Sequence, residues 1–121
     1  MYSLVTIRAR LRMGVALLPA RRHIYDRRIS SACPHDSCHG AHGDATHVLL
    51  NCPRFAAPRL TLSHALQSRL RVKVALSLGL LHGQPPPEAG GFPHKTAVLM
   101  HRQCLDLTGD FLLCVNRVMK L

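Results

Sequence analysis

The chain has 121 residues, enough for one small domain with a modest core and not for two. It carries 16 Lys+Arg against 6 Asp+Glu, a net charge of +10, and no apolar run approaches the ~20 residues of a membrane span. Five cysteines, an odd number, argue against a disulfide framework. Scarce aromatics and the absence of Trp argue against a base-stacking surface.

From Leu4 to Leu18 the apolar residues Leu4, Ile7, Leu11, Val15 and Leu18 recur at helical spacing, with Arg8, Arg10 and Arg12 off the stripe. This predicts an amphipathic helix facing a core. Pro19 opens a second predicted helix, Ala20 to about Ile29, which carries Arg21, Arg22, Arg27 and Arg28. Arginine's planar fork suits phosphate, so this cluster is a candidate for nucleic-acid backbone contacts as well as an ordinary solvated face. Asp26, four residues after Arg22, is placed to pair with it.

The most informative stretch is CPHDSCHGAHGDATHVLLNC, residues 33–52. It sets Cys33, Cys38, His47 and Cys52 at C-x4-C-x8-H-x4-C spacing. Three thiolates and an imidazole are a standard closed tetrahedral set for Zn2+. Pro34, Gly40 and Gly43 supply turns between the ligands. His35, His39 and His42 share the loop, and His42 competes with His47 for the fourth place. His47 is preferred because it opens the apolar run His-Val-Leu-Leu, which can fold as a helical turn and hold the ring still. Buried structural thiols fit poorly with so polar and Gly-rich a segment. A cysteine nucleophile would need a shaped pocket that such a loop seldom makes.

Beyond the loop, Pro53 can begin a helix, and Arg54 and Arg59 extend the candidate phosphate-binding rim. Pro58 conflicts with an uninterrupted helix from Pro53, so the helix restarts or kinks there. Leu60 to Arg69 reads helical. Leu70 to Leu80 alternates apolar and polar residues as a strand does. No second good strand exists to pair with it, which favours a continuing helix. Gly83 to Pro93 reads as a linker, and Thr96 to Met119 as a last helix with Val98, Leu105, Leu112 and Met119 spaced by sevens. Gly109 inside that helix implies a bend or a close contact. Cys104 and Cys114 read as small buried apolar residues.

Cys33, Cys38, Asp44, His47, Leu49, Cys52, Pro53 and Phe55, followed by Arg59 and Leu60, together resemble the zinc-binding (CCHC) segment of non-LTR retrotransposon reverse transcriptases. LRMGVALLPARRHIYDR resembles the helix pair before that knuckle, and DFLLCVNRVMKL, more faintly, the last helix of the family. The chain departs from the pattern in its x4 gap between the first two cysteines, where two residues are commoner. The resemblance implies a non-catalytic segment C-terminal to the polymerase that helps hold template RNA or target DNA. Met1 to Tyr25 carries five arginines and no acid, as mitochondrial transit peptides do, but the match to the pre-knuckle helix outweighs that alternative.

Catalytic signatures are missing from the sequence: it has no paired polymerase aspartates, P-loop, HExxH or GxSxG. An open metal site left by three cysteines lacks a nearby general base. The expectation is therefore a mostly α protein, a small helical domain around a CCHC zinc knuckle. It divides into a zinc-binding domain over 1–82 with its knuckle at 33–52, a linker over 83–94 and a C-terminal helix over 95–121. Its cofactor is Zn2+, its ligands Cys33, Cys38, His47 and Cys52, and its nucleic-acid contacts Arg21, Arg22, Arg27, Arg28, Arg54 and Arg59. Its partners are nucleic acid, through phosphates, and the rest of a reverse transcriptase polyprotein, with no membrane. The setting is intracellular and nuclear. The alternatives are a structural zinc module for protein–protein contact and a non-functional retroelement remnant.

Overall fold

A computed structural model describes residues 3–119 and 121. The protein is mostly helical, and the described residues contain no strand, only an isolated antiparallel bridge between Ala32 and His42. Helix α1 spans Leu4–Met13, with the Ser3 hydroxyl accepting from the Thr6 amide at 3.3 Å as its N-cap. It is shorter than the periodicity predicts. Gly14 takes the left-handed conformation (φ 70°), and its N–H turns back to Arg10 and Leu11 carbonyls, closing the helix. Val15 to Leu18 then continues without helical structure, though Ala16 and Leu18 remain buried.

Helix α2 spans Pro19–Tyr25 and also ends early. Asp26 leaves the helix in an extended conformation, and its carboxylate accepts from the Arg28 amide at 3.1 Å and from the Arg28 guanidinium at 3.0 Å. The expected Arg22–Asp26 pair is thereby replaced by Arg28–Asp26. Arg27 and Arg28 lie beyond the helix instead of sharing a face with Arg21.

Helix α3 spans Ala56–Leu70, so Pro58 falls in its first turn, where its missing N–H has no helical partner to lose. The restart therefore occurs just before Pro58, after a 3-10 turn over Pro53–Phe55. From Arg71 to Ser77 the chain is neither helix nor strand, against the expected continuing helix. Arg71 turns left-handed (φ 57°) and stops α3. The following residues run with alternating burial: Val72, Val74 and Leu76 inward, Lys73, Ala75 and Ser77 outward. The period-2 pattern thus serves an extended segment that packs by its side chains and has no partner strand.

A short helix α4, Leu78–Leu81, buries Leu80 and Leu81. The Gly83–Pro93 stretch includes a 3-10 turn over Pro87–Gly91, with Ala89 packed against the next helix. Helix α5, His94–Met119, lies against α3, α4 and α1. Its buried face keeps Leu112 and Met119 of the expected stripe, with Thr108 and Val115 beside them, and adds Met100, Cys104 and Phe111, while Val98 is exposed. Cys104 is 1% exposed, and burial, then Glu88, pushes its thiol up to about 11, as befits a small apolar filler.

Gly109 lets α1 meet α5 closely, because a Cβ there would lie 2.6 Å from Leu4 Cδ2. One turn away, Arg8 reaches across the same crossing and donates to Leu105 O at 2.7 Å and Thr108 Oγ1 at 2.9 Å. One cluster of buried apolar side chains runs from Ile7 and Leu11 through Val48, Leu49 and Phe55 to Leu66, Leu112 and Leu121. The cysteine loop is therefore attached to the core through Val48 and Leu49. No helix among the described residues is long and apolar enough to cross a membrane.

Candidate metal centre

The loop between α2 and α3 is folded by its backbone before any ligand is considered. Gly43 N–H donates to Ser31 O at 2.8 Å and Cys33 N–H to Ala41 O at 2.7 Å, clipping the two ends of the first turn together. A 3-10 turn over Asp36–Cys38 then presents Cys38. His39 and Gly40, both at positive φ (50° and 79°), reverse the chain. Gly43 is required for a different reason. A Cβ there would lie 2.6 Å and 2.8 Å from the rigid Pro19 ring and 3.1 Å from Ser31 O, so the loop could not reach the start of α2. Gly43→Ala should cost about 1–3 kcal/mol, read as a lowered denaturant midpoint with metal stoichiometry unchanged.

The second ligand pair stands on a π-helical turn, Thr46–Asn51, in which Cys52 N–H donates to His47 O at 2.6 Å. In an α-helix, residues five apart sit about 140° apart around the axis. An i→i+5 turn is wider and brings the fifth residue nearly back over the first. That widening is what lets His47 and Cys52 face one point. Asp44 caps the turn, its carboxylate accepting from the His47 amide at 2.9 Å. Val48 and Leu49, both 0% exposed, root it in the core.

Cys33 Sγ, Cys38 Sγ, His47 Nε2 and Cys52 Sγ all lie within 4.8 Å of one another. The sulfur of Cys52 is 3.8 Å from that of Cys33 and 3.7 Å from that of Cys38, and His47 Nε2 is 3.3 Å from Cys38 Sγ. A tetrahedron with Zn–S near 2.3 Å and Zn–N near 2.05 Å has S–S edges of about 3.8 Å and S–N edges of about 3.5 Å. These three edges fall within a few tenths of an ångström of those values, and the remaining pairs lie within 4.8 Å. They are far longer than the ~2.05 Å of a disulfide, and the cysteines are free.

The thiols are electrostatically uneven. Burial acts to raise Cys33, but a hydrogen bond from the His35 backbone, contacts with Cys38 and Cys52, and the charge of Arg54 leave its pKa below the ordinary value. Cys38 is pushed up to about 12, by burial first and then by Cys33 and Cys52. Three adjacent thiols do not ionise together unaided, whereas a divalent cation at their centre stabilises all three thiolates. The donor set fits a thiophilic divalent metal, and it is a group that can hold such an ion.

The rival histidines stand apart from it. His42 is exposed and forms the bridge with Ala32, His39 is exposed in its left-handed turn, and His35 Nδ1 reaches only Cys38 Sγ, at 4.0 Å.

The six candidate arginines divide by environment. Arg22 donates to Leu17 O at 2.8 Å and Met119 O at 3.3 Å, tying α2 to the end of α5. Arg59 donates to Cys52 O and, at 3.5 Å, to Leu49 O. Arg54 lies over the Phe55 ring and donates to Met119 Sδ at 3.4 Å. The other three stay near the surface: Arg21 on the Tyr25 ring and hydroxyl, Arg27 beside His23, and Arg28 on Asp26. Sequence reasoning did not identify the work of Asp44, Arg54 and Arg59 inside the loop. For Asp44 a signal existed, an acid three residues before His47 at N-cap spacing.

No protein family matches the chain, and neither a curated protein nor a solved structure matches it.

Proposed function

We propose that the chain is a zinc-stapled helical module that grips nucleic acid through its phosphates, without sequence preference, as a non-catalytic part of a retroelement reverse transcriptase. The ion fixes the loop between α2 and α3, and the arginines of the segment entering that loop meet the backbone of template RNA or target DNA. A nuclear setting belongs to the same proposal. The observation that carries it is exposed arginine charge, with one acidic partner, beside the cysteine loop. Among the described residues one ion pair forms, Arg28–Asp26, and the Arg28 side chain remains 91% exposed. Among the described residues Arg21 meets the Tyr25 ring and hydroxyl and Arg27 the His23 imidazole, none of them a carboxylate. The resemblance of residues 33–60 to the reverse-transcriptase knuckle supports the choice of partner.

The test is anisotropy with labelled single-stranded RNA and duplex DNA across a salt series. Log affinity should fall linearly with log salt, by about 0.7 to 0.9 per phosphate neutralised. Arg21→Glu, Arg27→Glu and Arg28→Glu should each reduce that slope by about one. Arg22 is left intact because it holds the fold. Affinity independent of salt, or none for either nucleic acid, overturns this reading and leaves the metal centre standing.

One observation favours a second reading, a structural zinc module that docks protein. A groove of about 420 Å³ between α1, α2 and the loop is lined by Leu11, Ala16, Leu18 and Ile24, with Ile24 57% exposed. Under that reading the three charge reversals leave partner binding intact and Ile24→Asp abolishes it.

A further inference from the structure

We infer that Arg54 and Arg59 act on the metal centre, as charge-balancing and positioning residues, and not on nucleic acid. The inference rests on the zinc reading of Cys33, Cys38, His47 and Cys52. A divalent ion held by three thiolates and a neutral imidazole leaves one net negative charge. Here that charge would lie in apolar surroundings, since Cys33 and Cys52 are buried and Val48, Leu49 and Phe55 pack about them. An uncompensated charge in such a place is costly.

Two guanidiniums flank the cysteine loop, both from the chain just after Cys52. Arg59, in the first turns of α3, reaches back to the carbonyls of Leu49 and Cys52, spanning the turn that carries two ligands. Arg54 stands two residues after Cys52, on the 3-10 turn Pro53–Phe55 that directly follows the second ligand pair. Among the described residues its buried Nε has no hydrogen-bond partner, and the rest of its head meets the Met119 sulfur and the Phe55 ring. Neither arginine has a carboxylate among the described residues within 4 Å. Half-buried guanidiniums without acidic partners are unfavourable in isolation, but beside an anionic metal centre they are its counter-charge. Their burial and their carbonyl and sulfur contacts also keep them from presenting a fork to phosphate.

The measurement is metal affinity of the full chain by competition between Co2+ and a chromophoric chelator, with the thiolate-to-cobalt charge-transfer band read in parallel. Arg54→Gln and Arg59→Gln should each weaken Co2+ binding by about 10- to 100-fold, the range for outer-shell partners of a metal site, and should move the band. Arg54→Lys and Arg59→Lys, which keep the charge and are the less disruptive changes, should restore most of the affinity. The salt slope for nucleic acid should stay as in the wild type. Gln variants that bind Co2+ as tightly as the wild type overturn the inference. So does a salt slope reduced by about one per substitution, or a Lys variant as weak as its Gln counterpart. A wild-type chain that takes up no Co2+ overturns the metal reading and this inference with it.

Discussion

Cys52→Ser is expected to leave the chain without bound metal and without a cooperative unfolding transition. Cys52 is the ligand with most to lose: its sulfur is fully buried and sits 3.8 Å and 3.7 Å from the other two. It is also the residue where the π turn hands the chain to the Pro53–Phe55 turn. Structural zinc contributes an apparent 10–16 kcal/mol in small zinc-folded domains, about as much as or more than the 5–15 kcal/mol total stability of an ordinary domain. Loss of one thiolate should therefore cost most of the fold and not a fraction of it. Native mass spectrometry would read one equivalent of zinc in the wild type and none in the variant, with circular dichroism reporting the lost helix. Chelation of the wild type should reproduce the variant, and so should acidification, because the ligands bind only when deprotonated. Cys114→Ser, on the half-buried face of α5 and outside the cluster, should keep its ion. A wild type that folds cooperatively without metal would remove the zinc argument.

The Cys3His cluster was legible in the sequence because metal chemistry constrains residue type and spacing together, and few other roles need three thiols and an imidazole within twenty residues. The shape of the turn was not legible. Nothing in THVLLN distinguishes a π turn from an α turn; the wider turn is the one that buries Val48 and Leu49 while bringing His47 and Cys52 to one point. Helix ends failed for local reasons. Gly14 closes α1 in the left-handed conformation, while the apolar period runs on to Leu18, which is buried without being helical. At Asp26 a side chain that could serve a helical pair serves a turn instead, and no count of periodicity separates the two.

The stretch from Leu70 to Leu80 shows a subtler limit. Its alternation correctly encodes which residues face the core, but period 2 is a property of extended backbone and not of hydrogen-bonded sheet. The arginines show the same limit for charge. Arg21 and Arg22 are adjacent, yet one sits on a surface tyrosine and the other holds the end of α5. Composition counts both equally.

Leu49→Ala should cost about 2–5 kcal/mol, the range for removing a buried leucine, and its effect should appear as weakened metal binding. Leu49 is 0% exposed, lies between His47 and Cys52 on the π turn, and belongs to the same apolar cluster as Leu66 and Leu112. It belongs at once to the turn that carries His47 and to the core cluster. If the apo chain is unfolded, every unit of folding energy lost from the core is taken from the binding free energy of the ion. Two kcal/mol then weakens the apparent zinc affinity about thirtyfold, since each 1.4 kcal/mol is a factor of ten. Excess zinc should restore the fold of the variant by mass action, with a midpoint that rises in step with free metal. Titrating zinc against ellipticity in wild type and variant checks this directly. Equal zinc midpoints, with the variant merely melting earlier once loaded, would mean that the core folds without the ion and that the loop is an appendage to it.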